Sequence, residues 1–534
     1  MQLTKKAPIA GVLVLSAALA LTGCSKGTTS GSGGASGAPN SSSNIVIGTT
    51  DTVVSIDPAG SYDNGSLMVE AQVYQFLYTF IPGQSTPQPD AAQSCDFSQP
   101  TVFTCTLKPN LKFANGDPLT SADVKFSFDR VLKINSSVGP ASLLGNIASI
   151  DTPDATTVNF NLKLANDQTF LQVLTTSAGP IVDSKVFSAD SLMSDEDIVK
   201  ANAFSGPYTI TTYNKNQLVQ FKANPNYNGA YGKVANGGIT LQSFTDETNM
   251  KLALTNKQLD MVTRSLTPTD IQSLQKNSNI HVWNAKSGEI RYIVFNLNTM
   301  PGDSDAQKLA IRQAIASSID RTSLANDVYL GQYTPLCSYV PSGYPGANTA
   351  VCDAYPLDTA KAKQYLSDAG VSTPVTLNLE YNPDHYGSSS DQEYGRIKQQ
   401  LEATGLFKVN LQSANWTTYN TERTQDAYPL FQLGWFPDYP DADNYLTPFF
   451  TENSFLAQHF NEPDIFQAIS QEATQPDQTQ RLAEIGQIQT DLAQKYLPTI
   501  PLLQGSMWAF TQTNVNGVAL LPNSVIPYAT LTKS

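Results

Sequence analysis

Apolar residues alternate with polar or small ones from Asn44, where Ile45 and Ile47 fall on one face, and this predicts a strand over 44–50. The period then lengthens: Val69, Val73, Phe76, Leu77 and Phe80 recur at helical spacing, so a helix is expected across 69–79. Phe103 to Leu107 reads as a short strand, Asn115-Gly116-Asp117 as a turn, and the next segment as a helix. Thr120 with Asp123 caps that helix, and Val124, Phe128, Val131 and Leu132 form its buried stripe. Tyr208 to Tyr213 and Val219 to Ala223 pair across a turn at 214–216. A helix over Asp246 to Leu254 then leads to a strand at Leu259 to Val262.

The same alternation continues beyond Arg291. Arg291 to Leu297 is a buried strand, and Ser304 with Gln307 caps a helix whose apolar face is Ile311, Ala314, Ile315 and Ile319. A helix over Thr359 to Ala369 starts at Asp358 and stops at Gly370, the residue a helix C-terminus prefers. Strands at Leu377 to Tyr381, Val409 to Leu411 and Tyr428 to Gly434 surround a helix over Gln392 to Thr404. This order predicts an α/β fold. The last strand runs into LGWFPDYPDADNY, Leu433 to Tyr445, where Pro437 and Pro440 remove donors and turn the chain into a loop. Asp438 stands there among Trp435 and two further aromatics, placed to meet a cation. Taken alone, the same acid reads equally as a solvated loop carboxylate, and DYPDAD as a calcium loop.

At 534 residues the chain exceeds what one hydrophobic core supports. Its 32 basic and 46 acidic residues give a net charge of -14, which argues against nucleic acid as a partner. His281, His385 and His459 are its 3 histidines, and H-E-x-x-H, G-x-S-x-G and phosphate-loop motifs are absent. The reading is therefore a binding protein, with no enzyme activity, no metal and no cofactor.

Lys5 and Lys6 precede an apolar run from Ile9 to Leu21, a secretory signal too short for a stable span. The small residues before Cys24 resemble the lipobox of bacterial lipoproteins, which implies a signal peptide over 1–23, cleavage before Cys24, and lipid on its sulfur. An ordinary signal with an unrelated cysteine is the alternative. Residues 25–43 are nearly all Gly, Ser, Thr, Ala and Asn, a flexible tether. The other cysteines fall into two close pairs, Cys95 with Cys105 and Cys337 with Cys352, read as local disulfides of an oxidising compartment. The expected location is extracytoplasmic, lipid-anchored to the bacterial cell membrane.

Six segments together carry a resemblance: SIDPAG (55–60), LKPNLKFANGDPLTSADVKFSFDRV (107–131), FSGPYTITTY (204–213), ANPNYNG (223–229), IRQAIASSIDR (311–321) and LGWFPDYPDADNY (433–445). In this order they resemble the oligopeptide- and dipeptide-binding lipoproteins of ABC importers, a family of extracytoplasmic solute-binding proteins. The resemblance implies a two-lobed α/β fold, periplasmic-binding-protein-like, whose lobes close over a ligand in the manner of a Venus flytrap. One lobe would comprise 44–80, 203–286 and 504–534, an extra domain would be inserted at 81–202, and the second lobe would be 287–503. A monomer, a peptide ligand, permease and ATPase partners, and membrane attachment through the N-terminal lipid are implied with it.

In peptide-binding members of that family an aspartate after a Gly-Trp pair holds the ligand's ammonium. Here the pair is Gly434-Trp435 and the aspartate is Asp438. Trp416, Tyr419 and Tyr439 would line side-chain pockets with Trp435, or equally form core. The sequence departs from the family at the other ligand end: YNPDHYGSSSD carries no arginine where dipeptide binders have one, and Gln432 replaces an oligopeptide-binder arginine. His385 lies near the position of a histidine that receives ligand carboxylates. A same-fold binder of a sugar, metal chelate or opine-like solute, and a secreted enzyme or signalling adaptor, are the competing readings.

Overall fold

Two long strands, Ile280–Phe295 and Thr499–Gln512, run antiparallel through the middle of the computed structural model, which describes residues 43–264, 266–452 and 454–534. Their ladder extends from Ile280 opposite Gln512 to Val294 opposite Thr499 and breaks between Lys286 and Ile290. They are central members of an eleven-stranded sheet. On one side Thr499–Gln512 pairs with Met261–Thr263, followed outward by Asn44–Thr49, Gly238–Ser243, Leu218–Ala223 and Tyr208–Asn214. On the other, Ile280–Phe295 pairs with Leu430–Trp435, followed by Val375–Tyr381 and Phe407–Ser413. A separate four-stranded sheet is ordered Ala92–Gln99, Val102–Leu107, Thr157–Leu162, Ile147–Asp151. Cys95 and Cys105 are bonded across its first pair, and Cys337 is bonded to Cys352.

The apolar residues gather into distinct clusters. One is drawn entirely from 290–503, and a second from 59–181 with the addition of Tyr439. Two more combine residues from 45–74 and 182–282 with the C-terminal strands. Period-two alternation explains the strands: Ile45 and Ile47 are both fully buried in Asn44–Thr49. Side chains fix where helices start. Thr120 and Asp123 form a reciprocal capping box on Ser121–Ile134, the Ser304 side chain accepts from the Gln307 N–H, and Asp358 accepts from Ala360 and Lys361. Asp57 forms a buried two-pronged pair with Arg130, at 2.6 Å on each prong, and so joins SIDPAG to that capped helix.

Three expected elements shift. The helix expected over 69–79 is Asn64–Val73, because Asp63 caps it a turn earlier and Tyr74 leaves it in an extended conformation. Phe76, Leu77 and Phe80 are buried outside it, near the short strand Tyr78–Thr79. The strand expected at 291–297 begins eleven residues sooner, since its first half pairs with Thr499–Gln512 without being apolar on both faces. Ile319 is buried but lies beyond the end of helix Asp305–Ala316.

Candidate functional site around Asp438

Strand Leu430–Trp435 ends at Trp435, and the two prolines send the chain into a loop that closes with the short turn Ala442–Tyr445. Several side chains fasten that loop. Arg481 makes two bonds to Asp441, at 2.9 and 2.7 Å, and a third to Glu472 at 2.9 Å. Gln172, from a segment distant in sequence, donates to Asp441 at 3.1 Å. The Tyr445 hydroxyl donates to the Gly288 carbonyl at 2.7 Å, tying the loop to the break in the central ladder. Glu472 is fully buried beside Asp443, and burial together with that neighbour pushes its carboxyl up to about 10.

Within this frame Asp438 is half-buried. Its Oδ1 accepts from the Tyr62 hydroxyl at 2.5 Å and its Oδ2 from the Asn444 amide at 3.3 Å. Burial raises its pKa, and the two hydrogen bonds only partly offset that. Tyr62 retains 40% of its surface exposed, so the pair borders solvent. The arrangement is a carboxylate with hydrogen-bond donors but, among the described residues, without a positive partner, in a place where its charge is costly. A cation brought to it would relieve that cost.

A family model for the bacterial extracellular solute-binding proteins, family 5, matches residues 86–456, which include this loop. The chain belongs to that family. Among curated relatives of this family 5 protein, it is 26% identical over 459 residues to the Probable D,D-dipeptide-binding periplasmic protein DdpA of Escherichia coli (strain K12), covering 83% of this chain and 85% of the relative. The glutathione-binding protein GsiB of Salmonella typhi is 23% identical over 491 residues, with 90% and 92% covered. The two-lobed fold of this chain is that of a dipeptide binding protein from Pseudoalteromonas sp. SM9913 solved in complex with Met-Leu, with a TM-score of 0.76 at 20% identity over 92% of this chain and 100% of the other. Haemophilus influenzae OppA, solved in complex with RPPGFSPFR, gives 0.75 at 20% identity, covering 93% of this chain and 100% of the other.

The remaining expected site residues of this family 5 chain divide. Trp435 does not face Asp438 directly: its indole N–H donates to Asn444 at 2.9 Å, and its ring packs on Phe449 and Phe455. Asn444 in turn receives the Asp438 backbone N–H at 3.0 Å, so tryptophan and aspartate are joined through one amide. Gly434 lies opposite Arg291, and a Cβ there would come within 2.8 Å of the Arg291 Nη1. Tyr439 is 6% exposed and belongs to the cluster from 59–181, so it fills core instead of lining a pocket. Tyr419 is a clearer correction. It is fully buried, and its hydroxyl donates to the Gln432 carbonyl at 2.7 Å, which leaves nothing to offer a ligand.

His385 lies flat on Trp416, with centroids 3.8 Å apart at 7°, so these two are brought together while the outer side of His385 stays open. Burial against these neighbours, then the guanidinium groups of Arg291 and Arg264, push His385 down to about 4. That shift favours the uncharged ring at neutral pH. Cys24 lies outside the described residues. Tyr62 and Arg291 were the residues that sequence reasoning missed. Arg291 had a signal, a charged residue inside the apolar run IRYIVF, whereas Tyr62 had none beyond its place after SIDPAG.

Proposed function

We propose that this family 5 solute-binding protein captures peptides outside the cytoplasm for an ABC permease and ATPase, and that Asp438 receives the peptide's ammonium. The single observation that carries this reading is the half-buried Asp438 carboxylate, held by Tyr62 and Asn444 with its pKa raised by burial. A charge-assisted hydrogen bond to it is worth about 1.5 to 3 kcal/mol. A ligand lacking the ammonium would leave the acid desolvated and uncompensated, which rejects it. The peptide and dipeptide ligands named for the relatives agree with this chemistry.

The lobes in this reading are 44–80 with 203–286 and 504–534, and 287–503, with 81–202 inserted. The apolar cluster drawn entirely from 290–503 and the ladder break between Lys286 and Ile290 support the boundary of the second lobe, and the break supplies a hinge. In this reading Cys24, in its lipobox-like setting, carries the lipid that holds the monomer at the membrane. Binding by lobe closure requires no catalytic group, and a peptide would be released intact.

Mass spectrometry of the protein purified from its native membrane tests the reading. A mixture of short peptides with free amino termini is expected. A single non-peptide solute in its place would overturn the peptide assignment.

A further inference from the structure

Arg291 sits in strand Ile280–Phe295 directly opposite Gly434, and with no side chain there its guanidinium lies over the glycine backbone. It is 3% exposed. All its hydrogen bonds converge on one nitrogen: Nη2 contacts Glu289 at 2.6 Å, the Tyr386 carbonyl at 2.9 Å and the Tyr333 hydroxyl at 3.4 Å. Nε and Nη1 are buried without any partner. Leaving two guanidinium nitrogens unpaired in a low-dielectric place is costly.

The surroundings suggest a use for them. The Phe436 ring lies 5.8 Å from the Arg291 guanidinium and carries the Arg264 guanidinium on it at 5.2 Å, and Arg264 comes from the end of Met261–Thr263, across the central strands. Phe436 is two residues from Asp438. Separating the two halves of the large sheet would lift Arg264 from Phe436 and free that ring to move, while the Tyr386 ring stays against the guanidinium at 4.6 Å. Glu289 already balances the arginine's charge, yet it also accepts from the Tyr333 hydroxyl at 2.7 Å, so it keeps a donor of its own when Arg291 turns to another anion.

We infer that Arg291, through the unpartnered Nη1 over Gly434, receives the terminal carboxylate of the peptide whose ammonium Asp438 holds. This rests on the peptide reading above and supplies a carboxylate partner where the sequence lacks the arginines of the family. It also sets a length. Gly434 and Asp438 are four residues apart, at most about 14 Å along an extended chain, so a peptide gripped at both ends is limited to about four residues. Nη1 alone makes the contact, since the Nη2 hydrogens are already engaged.

The test uses the best binder from a randomised tripeptide pool and its C-terminal amide, titrated calorimetrically into the full protein and into Arg291→Gln, Arg291→Lys and Glu289→Gln. Amidation is expected to weaken binding about 10- to 100-fold in the wild type and to have no effect in Arg291→Gln. Arg291→Lys should retain part of the discrimination, and Glu289→Gln, by removing the competing charge, should increase it. A purely structural arginine would change affinity for acid and amide alike. An amidation penalty that survives in Arg291→Gln, or is absent from a wild type that binds the tripeptide, overturns the inference and leaves the Asp438 reading standing. If Arg291→Gln does not fold, unchanged discrimination in Glu289→Gln overturns it equally. Failure of the wild type to bind any tripeptide, acid or amide, would instead remove the peptide reading itself.

Discussion

The Tyr62 hydroxyl donates to the Asp438 carboxylate at 2.5 Å, joining two residues 376 positions apart in the chain. Tyr62 follows SIDPAG and Asp438 follows the strand Leu430–Trp435, so under the proposed lobe division one hydrogen bond spans the two parts that separate to admit a ligand. Removing the donor should loosen them. In Tyr62→Phe the compact population of protein measured without added peptide should fall by about fivefold, close to 1 kcal/mol for a partly exposed bond to a charged acceptor. Small-angle scattering would register this as a larger radius of gyration, and an unchanged curve would count against the bond as a link between lobes.

Burial raises the Asp438 pKa above the ordinary carboxylate value of 3.8. Only the ionised carboxylate pairs with an ammonium, so affinity should hold above the raised pKa and fall as pH drops through it, by about tenfold per unit below. Titrations across the acidic range should therefore show binding lost at a higher pH than an unperturbed aspartate would give. A profile flat down to the usual range would show that the acid does not control capture.

Glu472 offers a separate test of pH dependence, in stability. Its carboxyl is raised from 4.5 to about 10, so the stability its neutral form contributes is complete below about 4.5 and lost as pH rises through about 10. Thermal unfolding should show the melting temperature declining toward alkaline pH, and Glu472→Gln, which keeps the neutral form, should flatten that decline. Identical slopes would mean that Asp443, Arg481 and Asp441 share the charge differently.

Asp57 and Arg130 are both buried, and each leaves the other uncompensated if removed. Arg130→Ala should destabilise the fold by about 3 to 5 kcal/mol in denaturant unfolding.

Much of the scaffold was legible because its signals are local. The Thr120–Asp123 box, the Ser304 and Asp358 caps and the period-two strand at Ile45 and Ile47 each depend on neighbours a few residues away. The Asp57–Arg130 pair shows why two separate sequence segments in the resemblance belong together, although nothing local marks either partner. The first half of Ile280–Phe295 was missed because its strand is imposed by pairing with Thr499–Gln512, more than two hundred positions away. The site was legible only at its centre. The prolines marked the loop around Asp438, but Tyr419 and Tyr439 look the same in sequence whether they line a pocket or fill a core, and only their burial separates the two. Tyr62 reaches Asp438 through the fold, so no window of sequence contains both.

The most direct test of ammonium capture is the affinity of wild type and Asp438→Asn for one short peptide with a free amino terminus and for its N-acetylated form. The account predicts that wild type prefers the free amine by about 10- to 100-fold, and that Asp438→Asn binds both forms equally and weakly. Equal affinity of wild type for the two forms, or a preference for the free amine that persists in Asp438→Asn, would contradict it.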